Sequence, residues 1–219
     1  MINFKYKNKN INIYSKYEDD HIYKTINHQK NFYEIKLLEK INSLGVSGTY
    51  VDVGSNIGNH TIYFALFTKA NKVISIEVHP KIYEILINNI TLNKSDKYYP
   101  LNCGVGDRNN KVLLSDFDVK NIGMCHLIDK SGDVEVKKLD DILIDIDDIS
   151  LIKIDVEGYE LKVLHGAKKI INSNKPILIL ECRTNKEFNE IDMFLNGMGY
   201  ITDKINYAAT PTYIWFYGR

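Results

Sequence analysis

Along residues 2 to 15, INFKYKNKNINIYS, apolar and polar side chains alternate, the period of a half-buried strand pair, with Lys and Asn at the turn. From Phe32 to Leu44 the period changes. Phe32, Ile35, Leu38 and Ile41 recur every three residues and share one helical face. Short apolar runs then alternate with helical stretches. TYVDV predicts a strand, HTIYFALFTK a helix, KVISIEV a strand, and PKIYEILINNITLN a helix opened by Pro80 in its first turn. KYYPLNCGV is a poorer strand candidate, because Pro100 cannot donate a ladder hydrogen bond. Residues 108 to 138 carry KVLLSDF and DVEVKKL around a glycine-containing loop and predict an inserted hairpin excursion. The alternation resumes with strand SLIKIDV, helix YELKVLHGAKKII, strand PILILEC, helix NEIDMFLNGM, and closing strands near YITDKIN and TYIWFYG. Strands alternating with helices of this length predict an α/β fold, a mostly parallel sheet with helices on both faces.

Length and charge narrow the picture. The 219 residues suit one domain, 1–219, with 1–31 as an N-terminal hairpin and extension and 108–138 as the insertion. Lys plus Arg and Asp plus Glu both number 28, so no basic excess points to nucleic acid. Cys103, Cys125 and Cys182 are odd in number and widely spaced, which fits neither a disulfide framework nor a zinc spacing. The amino terminus lacks the apolar run of a signal peptide, and no stretch reaches the roughly 18 apolar residues of a membrane span. A cytoplasmic location is expected.

The chemistry starts at VDVGSNIGNHT, residues 51 to 61, behind the first strand of the parallel core. In such sheets ligands bind beyond the carboxyl ends of the strands. Gly54 and Gly58 supply a turn and a tight helix start, but a dinucleotide fingerprint would want glycine where Asn56 and Asn59 stand. Asp52 repels a pyrophosphate and attracts a cation. The loop is therefore read as a cradle for a cationic or zwitterionic ligand, a description that S-adenosylmethionine meets with its ammonium, carboxylate and sulfonium. Glu77 ends the second core strand about 20 residues beyond Gly58, the offset at which a carboxylate meets ribose hydroxyls in related folds.

VDVGSNIGNHT, SIEVHP, LIKIDVEGYELKVLHGA and PILILEC, in that order, resemble the FkbM family of S-adenosylmethionine-dependent methyltransferases, over about Phe32 to Cys182. KIDVEGYEL is the most specific block. The resemblance implies a Rossmann-like class I methyltransferase with a seven-stranded, mostly parallel sheet that ends in an antiparallel C-terminal edge hairpin. It also implies O-methylation of a hydroxyl on a sugar, glycan or related small metabolite. It places Asp52, Gly54, Asn56 and Gly58 at the methionine end of the cofactor, Glu77 at its ribose and Glu34 near its ammonium. Adenine is then expected around LNCGVGD, with Asn102 or Asp107 for its amino group and His79 bordering the pocket. NIGMCHL departs from the family's small Gly-Ser-rich segment and leaves the acceptor side, with Cys125 and His126, open.

Methyl transfer to a hydroxyl needs in-line positioning and a base within about 3 Å of the proton. Asp155 ends a core strand, Glu157 follows, and Glu181 closes the next strand on the same rim. These three are the expected catalytic acids. Glu157 also reads as a helix N-terminal carboxylate stabilised by the dipole. Lys153 shares the strand parity of Asp155 and is expected to neutralise it beside the substrate, with His126 a second substrate contact. His165 reads as a partly buried packing histidine. Three acids on one rim suit a divalent cation, but no spacing in the sequence requires one, and no metal is expected. Alternatives are an RNA ribose 2′-O-methyltransferase, which usually arrays two lysines with an aspartate and a glutamate, whereas the fifth strand here ends in Glu181 rather than a lysine, and a non-catalytic S-adenosylmethionine-binding domain. A nicotinamide oxidoreductase is disfavoured by Asn56.

Overall fold

A computed structural model of the chain describes residues 1–116 and 118–218; Phe117, inside the expected excursion, and Arg219 lie outside the described residues. The chain opens with the expected hairpin, β1 (Ile2–Tyr6) and β2 (Lys9–Ile13), Ile2 facing Ile13 in register, and Lys7 taking the left-handed φ of 50° at its turn. Two helices follow, α1 (His21–Gln29) and α2 (Ile35–Leu44). The parallel core begins with β3 (Gly48–Val53), α3 (Asn59–Phe67), β4 (Ala70–Ile76), α4 (Pro80–Leu92) and β5 (Tyr98–Leu101). The excursion comprises β6 (Gly104–Val105), β7 (Asn110–Leu114), β8 (Leu127–Ile128) and β9 (Val134–Lys137). The chain returns through α5 (Leu139–Ile142), β10 (Ile149–Ile154), α6 (Glu160–His165), α7 (Lys168–Asn174), β11 (Ile177–Glu181), α8 (Asn185–Asn196), β12 (Tyr200–Thr202) and β13 (Thr212–Tyr217).

The main sheet has seven strands in the order β12-β13-β11-β10-β3-β4-β5. β11, β10, β3, β4 and β5 are parallel, and β13 runs antiparallel to both its neighbours, β11 and β12. The closing strands form the expected antiparallel hairpin at this edge of the sheet. Its second strand, β13, lies inside against β11 with Ile214 and Trp215 fully buried, and β12 is the outermost strand. At the other edge, β5 accommodates Pro100 because the strand has only one paired neighbour.

Every residue of β3 is buried, as befits a central parallel strand covered on both faces. Leu38, Tyr63 and Leu86 pack with Phe4 and Phe32 on one face of the sheet, and Val163, Leu195 and Trp215 on the other. Each such side chain contributes about 1.5–3 kcal/mol of transfer free energy. The hairpin is tied to α4 by two asparagines one turn apart. Asn89 accepts from Tyr14 N at 2.6 Å and donates to Ile57 O at 2.8 Å, and Asn93 accepts from Asn12 N at 3.0 Å. Asn89 thereby joins the N-terminal segment to the glycine loop.

Three local expectations change. Residues 21–29 form a helix within the expected hairpin-and-extension region, capped by Asp20, whose Oδ2 accepts from Tyr23 N at 3.0 Å. The single helix expected over 159–171 is two, interrupted at Gly166 and Ala167, and at Gly166 a Cβ would stand 1.9 Å from Gly106 O, so only glycine fits there. The excursion is more than a hairpin: β6 recruits β9 in parallel, giving a small sheet of order β6-β9-β7-β8. Asp20 Oδ1 accepts from Ile122 N at 3.1 Å, so α1 and the excursion are joined across the carboxyl end of the main sheet. No helix among the described residues is long and apolar enough to cross a membrane.

Candidate active site

Beneath that junction lies a cavity of about 420 Å³, within the range of small-molecule sites. Its floor is formed by the carboxyl ends of β3, β4, β10 and β11, and its roof includes His21, Ile22 and residues 121–127. Of the expected site residues, Glu34, Gly54, Asn56, Glu77, His126, Lys153, Asp155, Glu157 and Glu181 line it.

The glycine loop forms the floor. Gly54 has φ +78°, and a Cβ there would lie 1.8 Å from Asp155 O, so only glycine lets the ends of β3 and β10 come this close. Asn56, at φ +48°, donates its backbone N–H to Glu77 Oε2 at 2.9 Å, and its side-chain Oδ1 is buried without a hydrogen bond. Glu77 Oε1 accepts from His79 N at 2.8 Å. Burial pushes the Glu77 carboxyl up to about 7, although both backbone N–H groups favour its ionised form.

Four expected contacts stand outside the cavity, and the reasons are local. Asp52 is fully buried beneath it, accepting from Thr61 Oγ1 at 2.7 Å, with Lys153 Nζ 3.5 Å from its Oδ1. Gly58 has φ +90° and presses against Leu86, shaping the start of α3. His79 caps α4 by accepting from Lys81 N at 3.2 Å. Asn102 donates to Glu77 O at 2.7 Å and braces the end of β4. Asp107 is likewise not at the cavity wall and lies 3.8 Å from Arg108. His165 packs on Phe194, as expected of a structural histidine.

At the opposite end, Asp155, Glu157 and Glu181 each place a ligand atom within 4.8 Å of the others. This is a spacing that a divalent cation can use, as the three acids on one rim had suggested without requiring it. Lys153, 3% exposed, sits 3.1 Å from Asp155. Burial opposes its charge, but Asp155, Asp52 and Glu34 outweigh burial and hold the ammonium above the usual lysine range. Arg183 pairs with Glu157 at 3.0 Å. Burial, then the charge of Asp155, raises Glu157 to about 7 and pushes Glu181 well above the carboxylate range. Glu181 Oε2 is buried without a hydrogen bond.

Several wall residues were not singled out by the sequence reading. Tyr33, Asn59 and His60 line the cavity, Asn59 exchanging hydrogen bonds with Tyr33 N and O at 3.0 Å each. His60 and Asn59 sit inside the quoted glycine-loop motif, but their periodicity marked only the start of a helix. On the roof, Cys125 donates to Ser115 O at 3.3 Å, and burial raises its thiol to about 11, which leaves no nucleophilic thiolate near neutral pH.

Residues 52–202 match the family described as the methyltransferase FkbM domain. The chain belongs to the FkbM methyltransferase family. Membership brings the class I methyltransferase fold and S-adenosylmethionine as its cofactor. Among curated proteins, the chain is similar to methyltransferase sdnD of Sordaria araneosa, 28% identical over 53% of this chain and 59% of that one. It is also similar to the hexuronic acid methyltransferase AglP of Haloferax volcanii, 29% identical over 58% of this chain and 53% of that one. The chain thus spans somewhat over half the length of these relatives. Among solved structures, an FkbM methyltransferase from Methylobacillus flagellatus superposes with a TM-score of 0.58 at 21% identity, covering 94% of this chain and 48% of that one. A precorrin-6y methyltransferase from Geobacter metallireducens gives 0.54 at 13% identity, covering 83% and 85%. At these identities the structures attest the fold.

Proposed function

We propose that the chain transfers a methyl group from S-adenosylmethionine to a hydroxyl oxygen of a sugar, glycan or related small metabolite. The observation that carries this reading is one cavity with a strand-end carboxylate, Glu77, at one end and Asp155, clamped by Lys153, at the other. The residues fit the cofactor. Glu77 keeps lone pairs beyond its two backbone contacts for a ribose diol, Asn56 offers an unpaired buried amide oxygen, and Glu34 provides an anion for an ammonium.

The cofactor supplies an electrophilic methyl carbon on a sulfonium. The chain supplies position and a proton acceptor. Lys153 fixes the Asp155 carboxylate, which accepts the hydroxyl proton of an acceptor docked at the acid cluster. Glu181, raised by burial and its acidic neighbours, carries a proton near neutral pH and can donate to a second acceptor oxygen. Five carboxyl groups line the cavity against one lysine, which favours a neutral polyol over an acid. The similarity to a sugar-acid methyltransferase supports the carbohydrate class.

Incubation with methyl-labelled cofactor and panels of uncharged glycosides, uronates and RNA tests the reading. Label in the neutral sugars supports it, and label confined to RNA contradicts it.

A further inference from the structure

Tyr33 stands on the cavity wall, and neither the fold nor the proton transfer gives its hydroxyl a task. The residue is held from three directions. Its backbone N–H and C=O are both engaged by the Asn59 side chain at the start of α3, at 3.0 Å each. It directly precedes Glu34, whose left-handed φ of 54° turns the chain into α2. Its ring meets that of His21 on the roof edge to face, with centroids 6.1 Å apart. The half-buried phenol is thus firmly placed, yet its Oη has no hydrogen-bond partner among the described residues.

The phenol lies within electrostatic reach of the acid end of the cavity. Burial, followed by the charges of Glu34, Asp155 and Glu181, raises it far above the usual tyrosine range, so it stays an O–H group. The Glu181 carboxyl, on the same wall, likewise makes no hydrogen bond to the described residues, and its Oε2 is buried. Its acidic neighbours are engaged, Asp155 by Lys153 and Glu157 by Arg183. Polar groups withdrawn from water without a partner are costly, and a ligand that satisfies them removes the cost. An alcohol carries one donor and two acceptor positions, so one hydroxyl can accept from a protonated Glu181 and also bond the phenol. An ether oxygen can only accept, and a C–H does neither. The ligand atoms of Asp155 and Glu181 lie within 4.8 Å of one another, a spacing that suits hydroxyls on adjacent carbons held by hydrogen bonds of about 2.7 Å.

We infer that the acceptor is a vicinal diol, and that Tyr33 together with Glu181 reads the hydroxyl next to the one held by Asp155. This rests on the O-methylation reading above and narrows it. It makes Tyr33 a specificity-determining residue of the acceptor side.

Turnover of methyl-labelled cofactor tests the inference on the uncharged methyl glycosides of glucose, mannose and galactose. The sugar that takes the label is then compared with its deoxy analogue, which lacks the hydroxyl beside the methylated one. In the wild type, kcat/KM is expected to be at least about tenfold lower on the deoxy analogue. Tyr33→Phe should lower kcat/KM on the diol by about tenfold and on the deoxy analogue by about twofold or less. Its affinity for S-adenosylhomocysteine, read by calorimetry, should match the wild type, which also shows that the variant is folded. Equal wild-type kcat/KM on the two sugars overturns the diol assignment and leaves the O-methylation reading standing. A Tyr33→Phe chain that keeps full turnover overturns the role of Tyr33, as does a loss that is equal on both sugars or that follows a loss of S-adenosylhomocysteine binding. Label in none of the glycosides removes the sugar reading itself, and the diol assignment with it.

Discussion

Lys153 Nζ lies 3.1 Å from Asp155 Oδ2, and the same ammonium stands 3.5 Å from the fully buried Asp52. One cation therefore serves both a carboxylate under the glycine loop and one inside the cavity. Lys153→Met strands Asp52 as an uncompensated buried charge and should destabilise the chain by about 3–5 kcal/mol. Adding Asp52→Asn should restore part of that loss, a coupling that denaturant melts of the two singles and the double will read.

Asp155 is the group placed to take the acceptor's proton. Asp155→Asn keeps its shape and removes its basicity, so turnover should fall roughly 10²- to 10⁴-fold with S-adenosylhomocysteine binding little changed. Full turnover in this variant would move the base elsewhere, and a parallel loss of binding would recast Asp155 as a cofactor contact.

Gly54 is irreplaceable for two reasons, its φ of +78° and the 1.8 Å that would separate a Cβ from Asp155 O. Gly54→Val should destabilise the fold by about 4 kcal/mol or more and abolish cofactor binding. Thermal melts and calorimetry on the same preparation check both halves of that statement.

How much of this was readable from the chain follows from how local each cause is. The parallel core was legible because apolar runs such as TYVDV and PILILEC are set by burial on both faces, and Pro80 and Gly54 mark their turns. Helix α1 was not, because its stabilising contact, Asp20 to Ile122 N, spans the chain. The close approach of Gly106 to Gly166 was equally hidden, since the two are 60 residues apart in the chain. The strand-end acids Glu77, Asp155 and Glu181 could be placed by counting along strands. Asp52 could not be assigned its layer, because strand parity does not say that Thr61 would fold back onto it. His60 passed as a helix residue for the same reason: its partner, Glu34, lies in the turn before a separate helix, α2.

A pH dependence follows from Glu77. Its ordinary value is 4.5 and burial raises it to about 7, so between those values the folded chain holds a proton that the unfolded chain has lost. Stability therefore falls as pH rises through this window, by about 3 kcal/mol in all, and the cost is absent below about 4.5. Glu157, also raised to about 7, adds in the same direction. The melting temperature should thus be lower at pH 8 than at pH 5, and Glu77→Gln should reduce the difference. Affinity for S-adenosylhomocysteine moves the opposite way, rising roughly tenfold from pH 6 to pH 8 as Glu77 ionises.

The most direct test is a calorimetric titration of the purified, folded chain with S-adenosylhomocysteine, beside Glu77→Ala and with NAD as the control. One-site binding in the wild type, at least about tenfold weaker in Glu77→Ala, and no heat from NAD is the expected result. Silence with S-adenosylhomocysteine, or equal binding by Glu77→Ala, would contradict the claim that this cavity grips an adenosyl cofactor by its ribose.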